Sequence, residues 1–219
     1  MNSLFSQVEN NEVIRIYLTR ADNYMDKLGY TEHGIRHAGI VASGAMNVMS
    51  KLGYSEREAE LAGVAGFLHD IGNTVSRENH SQVGAILASQ LVRDLLLPEE
   101  MLDIMNAIGN HDEESGIPAN PITAALIISD KSDVHRERVR NPNAISFDMH
   151  DRVNYAVLNR DLIIDPDRKE VILSLDVDTS TFEVVEYFEI FLSRMIMCKR
   201  SASVLGVSFK LLINNTQII

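Results

Sequence analysis

At 219 residues, with 45% hydrophobic and 23% charged side chains, the chain has the composition of an ordinary globular protein able to bury a core of its own. A formal charge of −11 disfavours a nucleic-acid duplex or a membrane surface as the main partner, yet leaves room for a small phosphorylated substrate, because bound dications invert the local field. The single cysteine, Cys198, excludes an internal disulfide; no apolar run is long enough for a membrane span and no signal-peptide pattern is present, so the expected setting is cytoplasmic.

In chain order, Val13, Ile14, Tyr17, Leu18, Tyr24 and Leu28 recur at helical spacing, and Gly29 is a natural stop. Thr31 is the expected N-cap of a second helix reaching to about Leu52, whose interior (Ala38, Gly39, Ala42, Gly44, Ala45) lets a neighbour approach closely. Ser55 and Glu58 form a capping box for a third helix, Glu56 to about His69. After a polar loop (73–78), apolar periodicity predicts a helix from His80 to Leu96, then one from Glu99 to about Asn110 with Pro98 in its first turn. Pro121 opens a further helix, buried through Ile122 and Ala125 to Ile128 and ending in Ser129-Asp130-Lys131-Ser132-Asp133.

The remainder differs in character. Val134 to Asn143 is a basic stretch expected as a helix end and loop before Pro142. Asp161 to Ile164 and Glu170 to Leu175 flank Asp165-Pro166-Asp167-Arg168-Lys169, a hairpin signal. Phe182 to about Arg200 is amphipathic and helical, with a continuation past Gly206 to Ile213 left open. The resulting fold class is mainly α: a helical bundle over 1–145 and an appendage, 146–219, of a small hairpin and a long terminal helix. That appendage could cover the bundle, close over a site or form a homodimer seam through Phe182, Val185, Phe188, Phe191, Met195 and Ile196.

The histidines carry the chemistry. His37, His69, His80 and His111 fall on or at the ends of successive helices, each beside small or apolar residues. His69 is followed by Asp70, and Asp130 closes a run too apolar to be a surface face. Buried charge is costly unless paired or bound to metal. Helix bundles build metal sites from inward-facing side chains on facing helices, and imidazole with carboxylate suits a divalent ion such as Fe, Mn or Zn. His135 and His150, beside charged residues, are read as surface, Cys198 as apolar filler and the methionines as core filler.

The ordered set His37, His69-Asp70, His80, His111 and Asp130 resembles the HD superfamily of metal-dependent phosphohydrolases. The phrases His37-Ala38-Gly39-Ile40-Val41-Ala42, Phe67-Leu68-His69-Asp70-Ile71-Gly72 and Ile128-Ser129-Asp130-Lys131-Ser132-Asp133 carry the resemblance, which spans roughly Thr31 to Asp133. The resemblance implies an HD-domain helical bundle in which His37, His69, Asp70 and Asp130 bind a first metal. It makes His80 and His111 the added ligands of a second, Asp70 the bridge, and Asp112 a residue that orients a ligand. The ions it implies are two dications among Fe, Mn, Zn, Ni, Co or Mg.

This chain departs from familiar members where a lysine often follows the Asp by three residues: that place holds Asn73. A phosphate-pairing charge is then expected from Lys131, counted with His69 and Asp70 in the catalytic set, or from Arg77 and Arg136, assigned to substrate binding with His33. His33 is read as a rim residue on the helix of His37; no Glu follows that pair, so the zinc-protease phrase is absent. Gly116-Ile117-Pro118 stands where cyclic-dinucleotide hydrolases carry Gly-Tyr-Pro, which argues against that substrate. The implied reaction is hydrolysis of a nucleotide or other small phosphoester, as monoester or diester, by hydroxide generated at the metal. A di-iron oxygenase and a catalytically silent nucleotide- or metal-sensing module use the same ligand set and remain alternatives.

Overall fold

The computed structural model describes residues 3–113, 115–140, 149–180 and 184–219. Among them are nine α-helices and one four-stranded sheet, a mainly α architecture. A short helix that the sequence did not signal, α1 (Leu4–Glu9), is capped by the Ser3 hydroxyl and precedes α2 (Glu12–Lys27), capped by the Asn11 side chain. The next helix, α3 (Ile35–Lys51), starts later than the Thr31 cap predicts. Residues 31–34 are non-helical because side chains compete for the backbone: Asp22 accepts from the His33 amide at 2.9 Å and Glu32 from the Gly34 amide at 2.6 Å.

The Ser55–Glu58 capping box opens α4 (Glu56–Leu68), which is buried on nearly every face. Gly66 makes this possible, since a Cβ there would sit 2.9 Å from the Ala42 Cα of α3. After a 3-10 turn (71–74) come α5 (His80–Leu91), shorter than expected because residues 93–95 tighten into a 3-10 turn, and α6 (Pro98–Gly109). The second largely buried helix, α7 (Pro121–Lys131), begins where the Asn120 side chain accepts from the Thr123 amide. Two central helices, α4 and α7, are therefore jacketed by the others. The site lies where the C-terminal ends of α4, α6 and α7 meet the N-terminal ends of α3 and α5.

Beyond a 3-10 turn (136–138), α8 (Met149–Ala156) leads into β1 (Val157–Asp165) and β2 (Glu170–Val177), the expected hairpin, with Leu162 opposite Leu173. The long helix α9 (Val184–Val204) stops before Gly206, whose φ of +72° turns the chain. Past that turn the helix does not resume; the chain forms β3 (Ser208–Ile213), parallel to β2, and then β4 (Thr216–Gln217). Alternate burial of Phe209, Leu211 and Ile213 is the strand period that settles the open continuation.

Along α9, Phe191 and Met195 face the chain's own core and Phe188 is half-buried, which leaves Val185 and Ile196 exposed from the expected seam. One buried apolar cluster runs through both the bundle and the C-terminal elements, with α9 packed on α7. The expected boundary at 145/146, the loop at Pro142 and Asn143, and Phe182 lie outside the described residues. No helix among the described residues is long and apolar enough to cross a membrane.

Candidate metal centre

The centre is built around the end of α4. His69 is the capping residue, and Asp70 turns the chain into the 3-10 segment. That segment lies hard against α5, because a Cβ on Gly72 would collide with the His80 carbonyl oxygen. His69, Asp70 and His80 are thus fixed relative to one another by backbone contact. His37 comes from the first turn of α3, His111 from just beyond α6 and Asp130 from the last turn of α7.

Two groups of donor atoms result. In the first, His37 Nε2 lies 3.3 Å from His69 Nε2, 3.4 Å from Asp130 Oδ1 and 3.7 Å from Asp70 Oδ2, while His69 Nε2 lies 3.2 Å from Asp70 Oδ2. In the second, His80 Nε2 lies 3.2 Å from His111 Nε2 and 3.6 Å from the other Asp70 oxygen, Oδ1. Asp70 thus offers one oxygen to each group. All six side chains are buried or nearly so, and the donor atoms pack closely enough to share ions.

The hydrogen bonds on the far ring nitrogens say what these groups fit. Each Nδ1–H has an acceptor: Asp133 for His37 at 2.7 Å, and the carbonyls of Gly66 for His69, Arg77 for His80 and Ile108 for His111, at 2.8, 3.0 and 2.6 Å. Those bonds aim all four Nε2 atoms inward, where they face each other in pairs, 3.3 Å apart for His37 and His69 and 3.2 Å apart for His80 and His111. Two such nitrogens need a positive charge between them: a proton satisfies one pair at a time, whereas a divalent cation takes a lone pair from both. The carboxylates act in the same sense. Burial lowers the affinity of His69 for a proton, but Asp70 and Asp130 outweigh it and push its pKa up to about 10. Burial likewise opposes ionisation of Asp70 and Asp130, yet His69 beside the first and Lys131 beside the second hold both well below the usual carboxylate range. The pocket draws positive charge.

Supporting residues surround the donors. Asp133, which sequence reasoning quoted without a role, is fully buried, orients His37, and is met by Arg160 at 3.1 Å and Arg36 at 3.5 Å. Asn73 donates to Asp70 Oδ1 at 2.8 Å, so it stands where a lysine is often found but serves the carboxylate. Lys131, expected as a phosphate-pairing catalytic group, is only 6% exposed and is held by Asp130 at 2.8 Å and Glu113 at 2.6 Å. Its charge is spent on a donor carboxylate. Glu113 continues the chain of ion pairs to Arg194 of α9 at 3.0 Å. Glu113 and Arg194 escaped the sequence reading because their partners are remote in the chain.

A cavity of about 1020 Å³ adjoins the centre, lined among others by Tyr30, His33, Arg77, His80, Asp112 and Arg194. His33 lies at its wall on the segment before α3, its Nδ1–H bonded to the Thr31 carbonyl at 2.6 Å. His150, expected at the surface, is exposed and also borders the cavity. His135 is turned to the carbonyl of Leu158. Arg136, expected as a substrate contact, is not among the residues that line this cavity: it donates to the Tyr155 carbonyl at 3.1 Å and stacks on that ring.

Comparison with known proteins agrees with this geometry. A family model described as the HD domain matches residues 34–153, more than half of the chain. An uncharacterized protein of Methanocaldococcus jannaschii is 30% identical over 201 aligned residues, covering 78% of this chain and 76% of its own length. No solved structure matches. With the matched segment containing every histidine and carboxylate of the centre, the chain belongs to the HD-domain family, a superfamily of metal-dependent phosphohydrolases.

Proposed function

We propose that this protein hydrolyses a nucleotide or another small phosphoester at a pair of divalent ions held by His37, His69, Asp70, Asp130, His80 and His111. The observation that carries the reading is the convergence of four Nε2 atoms, each aimed inward by the bond on its Nδ1 and paired at 3.2–3.3 Å, with one Asp70 oxygen beside each pair. Ions bound there would lower the pKa of bound water toward neutrality and neutralise phosphate oxygens.

The chain's own groups do the rest. Asp70 spans the two donor groups, and Lys131 engages Asp130 Oδ2 so that Oδ1 alone faces the centre. Arg77 and Arg194 bring positive charge to the cavity wall, and His33 lies beside them. A cavity of this volume suits a nucleotide-sized ligand better than inorganic phosphate.

The test is a panel of phosphomonoesters and phosphodiesters, assayed anaerobically on protein whose metal content is measured in parallel. Hydrolysis without oxygen separates this chemistry from an oxygenase, and turnover itself separates it from a silent sensing module. Asp70→Ala should lose metal and hydrolysis together. Full turnover by metal-free Asp70→Ala protein would overturn the proposal.

A further inference from the structure

Arg77 stands apart from the other arginines near the centre. Arg36, Arg160 and Arg194 each meet a carboxylate within 3.5 Å, and Arg138 lies 3.9 Å from Asp133. Among the described residues Arg77 has no such partner. It grips His80 at both ring nitrogens instead: its carbonyl accepts from Nδ1–H at 3.0 Å, and its Nη1 lies 3.3 Å from Nε2. The guanidinium rests over the Tyr30 ring, 5.4 Å from the centroid, at the wall of the cavity.

That Nε2 atom has one lone pair, and it is the donor that His80 offers the second group. Arg77 and a second dication therefore compete for the same atom, and they repel each other once both are near it. In the first group the nearest cation, Lys131, pairs with Asp130 through Oδ2 and leaves Oδ1 to the centre, so among the described residues no guanidinium contests a ring nitrogen there. A phosphoryl group reverses the balance at the second position. It is anionic, so it can take the guanidinium in a charge-assisted hydrogen bond while its oxygens screen the ion.

We infer that Arg77 makes the second metal position weak on its own and couples its filling to the phosphate of the substrate, so that ion and phosphoryl group bind together. The inference rests on the metal centre proposed above and not on turnover. By linkage, the factor by which phosphate tightens the ion is the factor by which the ion tightens phosphate.

The probes are Mn²⁺ and inorganic phosphate, titrated calorimetrically into the full-length protein after chelation and dialysis, with bound metal counted independently. Wild-type protein should take one ion tightly and a second at least about tenfold more weakly, with phosphate tightening the second by a similar factor. Arg77→Met should tighten the second ion about tenfold without phosphate and shrink the phosphate effect about tenfold, leaving only the direct attraction between ion and phosphate; Arg77→Lys should fall between the two. Unchanged tight binding of the first ion reports that each variant is folded. Equal affinities at both positions in wild type, or a phosphate effect undiminished in Arg77→Met, would refute the role of Arg77 and leave the metal centre standing. Failure of the wild-type protein to bind any ion would remove both.

Discussion

At the scale of single residues, the donors and their supports differ in how far the sequence reveals them. His69, Asp70 and Asp130 could be picked out because a polar residue in an apolar run is an anomaly within its own segment, while His37, His80 and His111 completed the set through the ordered resemblance. Asp133 could not: its partner His37 is 96 residues away, and nothing local separates it from an ordinary helix-terminal Asp. Its burial among Arg36, Arg138 and Arg160 shows that it is held ready to receive the His37 Nδ1–H. Asp133→Asn would keep the shape but offer an amide where a charged acceptor stood, so metal affinity should fall about 10- to 100-fold while the fold persists. Metal titration of the variant checks this, and undiminished affinity would show that Asp133 serves the fold alone. Lys131 carries the opposite lesson. Its place beside Asp130 suggested phosphate chemistry, but Glu113 and Asp130 claim its charge. Lys131→Met would leave the nearly buried Asp130 without its ammonium partner while Glu113 keeps Arg194, and a loss of about 1–3 kcal/mol is expected in chemical denaturation without metal.

At the scale of elements, local signals placed most of the helices but missed where side chains override periodicity. Thr31 has the chemistry of a cap, yet α3 waits until Ile35 because Asp22 and Glu32 capture the intervening amides. The Ala and Gly pattern of α3 was legible as a close-approach face, and the Gly66–Ala42 contact is that approach. Gly66→Ala would force α3 away from α4 and so separate His37 from His69; about 1–3 kcal/mol of stability should be lost, with weaker metal binding alongside. A variant as stable as wild type in urea would mean that the helices can part without cost.

The N-terminal ends of α4 and α6 are joined by Arg57 and Glu100, which pair through two hydrogen bonds of 2.6 and 2.7 Å. The hydrogen bond from Arg57 lowers the Glu100 pKa below its ordinary 4.5. A depressed carboxylate stabilises the fold above its unfolded-state pKa, and that contribution is lost as pH falls through the folded-state value. Because Arg57 is partly exposed, Glu100→Gln should cost only about 0.5–1 kcal/mol at neutral pH. The gap between variant and wild type should close in acid; a gap independent of pH would assign the contribution to packing.

For the whole molecule, the sequence suggested a bundle and an appendage, and it could not say what the appendage does. The reason is physical. β3 offers only six residues of alternation after a helix rich in the same apolar types, so its pairing with β2 depends on a partner strand that no local window contains. Once β2, α9 and β3 close into a unit, α9 lies on α7 and carries Arg194 to the cavity wall and to Glu113, so the C-terminal elements form a side of the site. The same closure buries several carboxylates and imidazoles at one end of a protein that already carries a formal charge of −11. A dication that binds this folded arrangement and not the unfolded chain must stabilise the whole structure by mass action. At a hundredfold excess over its dissociation constant one ion adds about 2.7 kcal/mol. In a chain of this length that corresponds to a rise in Tm of roughly 5–10 °C. Thermal unfolding followed with Mn²⁺ and then with excess chelator should show the rise and its reversal, and Asp70→Ala should show neither. A wild-type Tm that ignores both additions would mean that the buried histidines and carboxylates satisfy one another without metal, and the hydrolase proposal would fall.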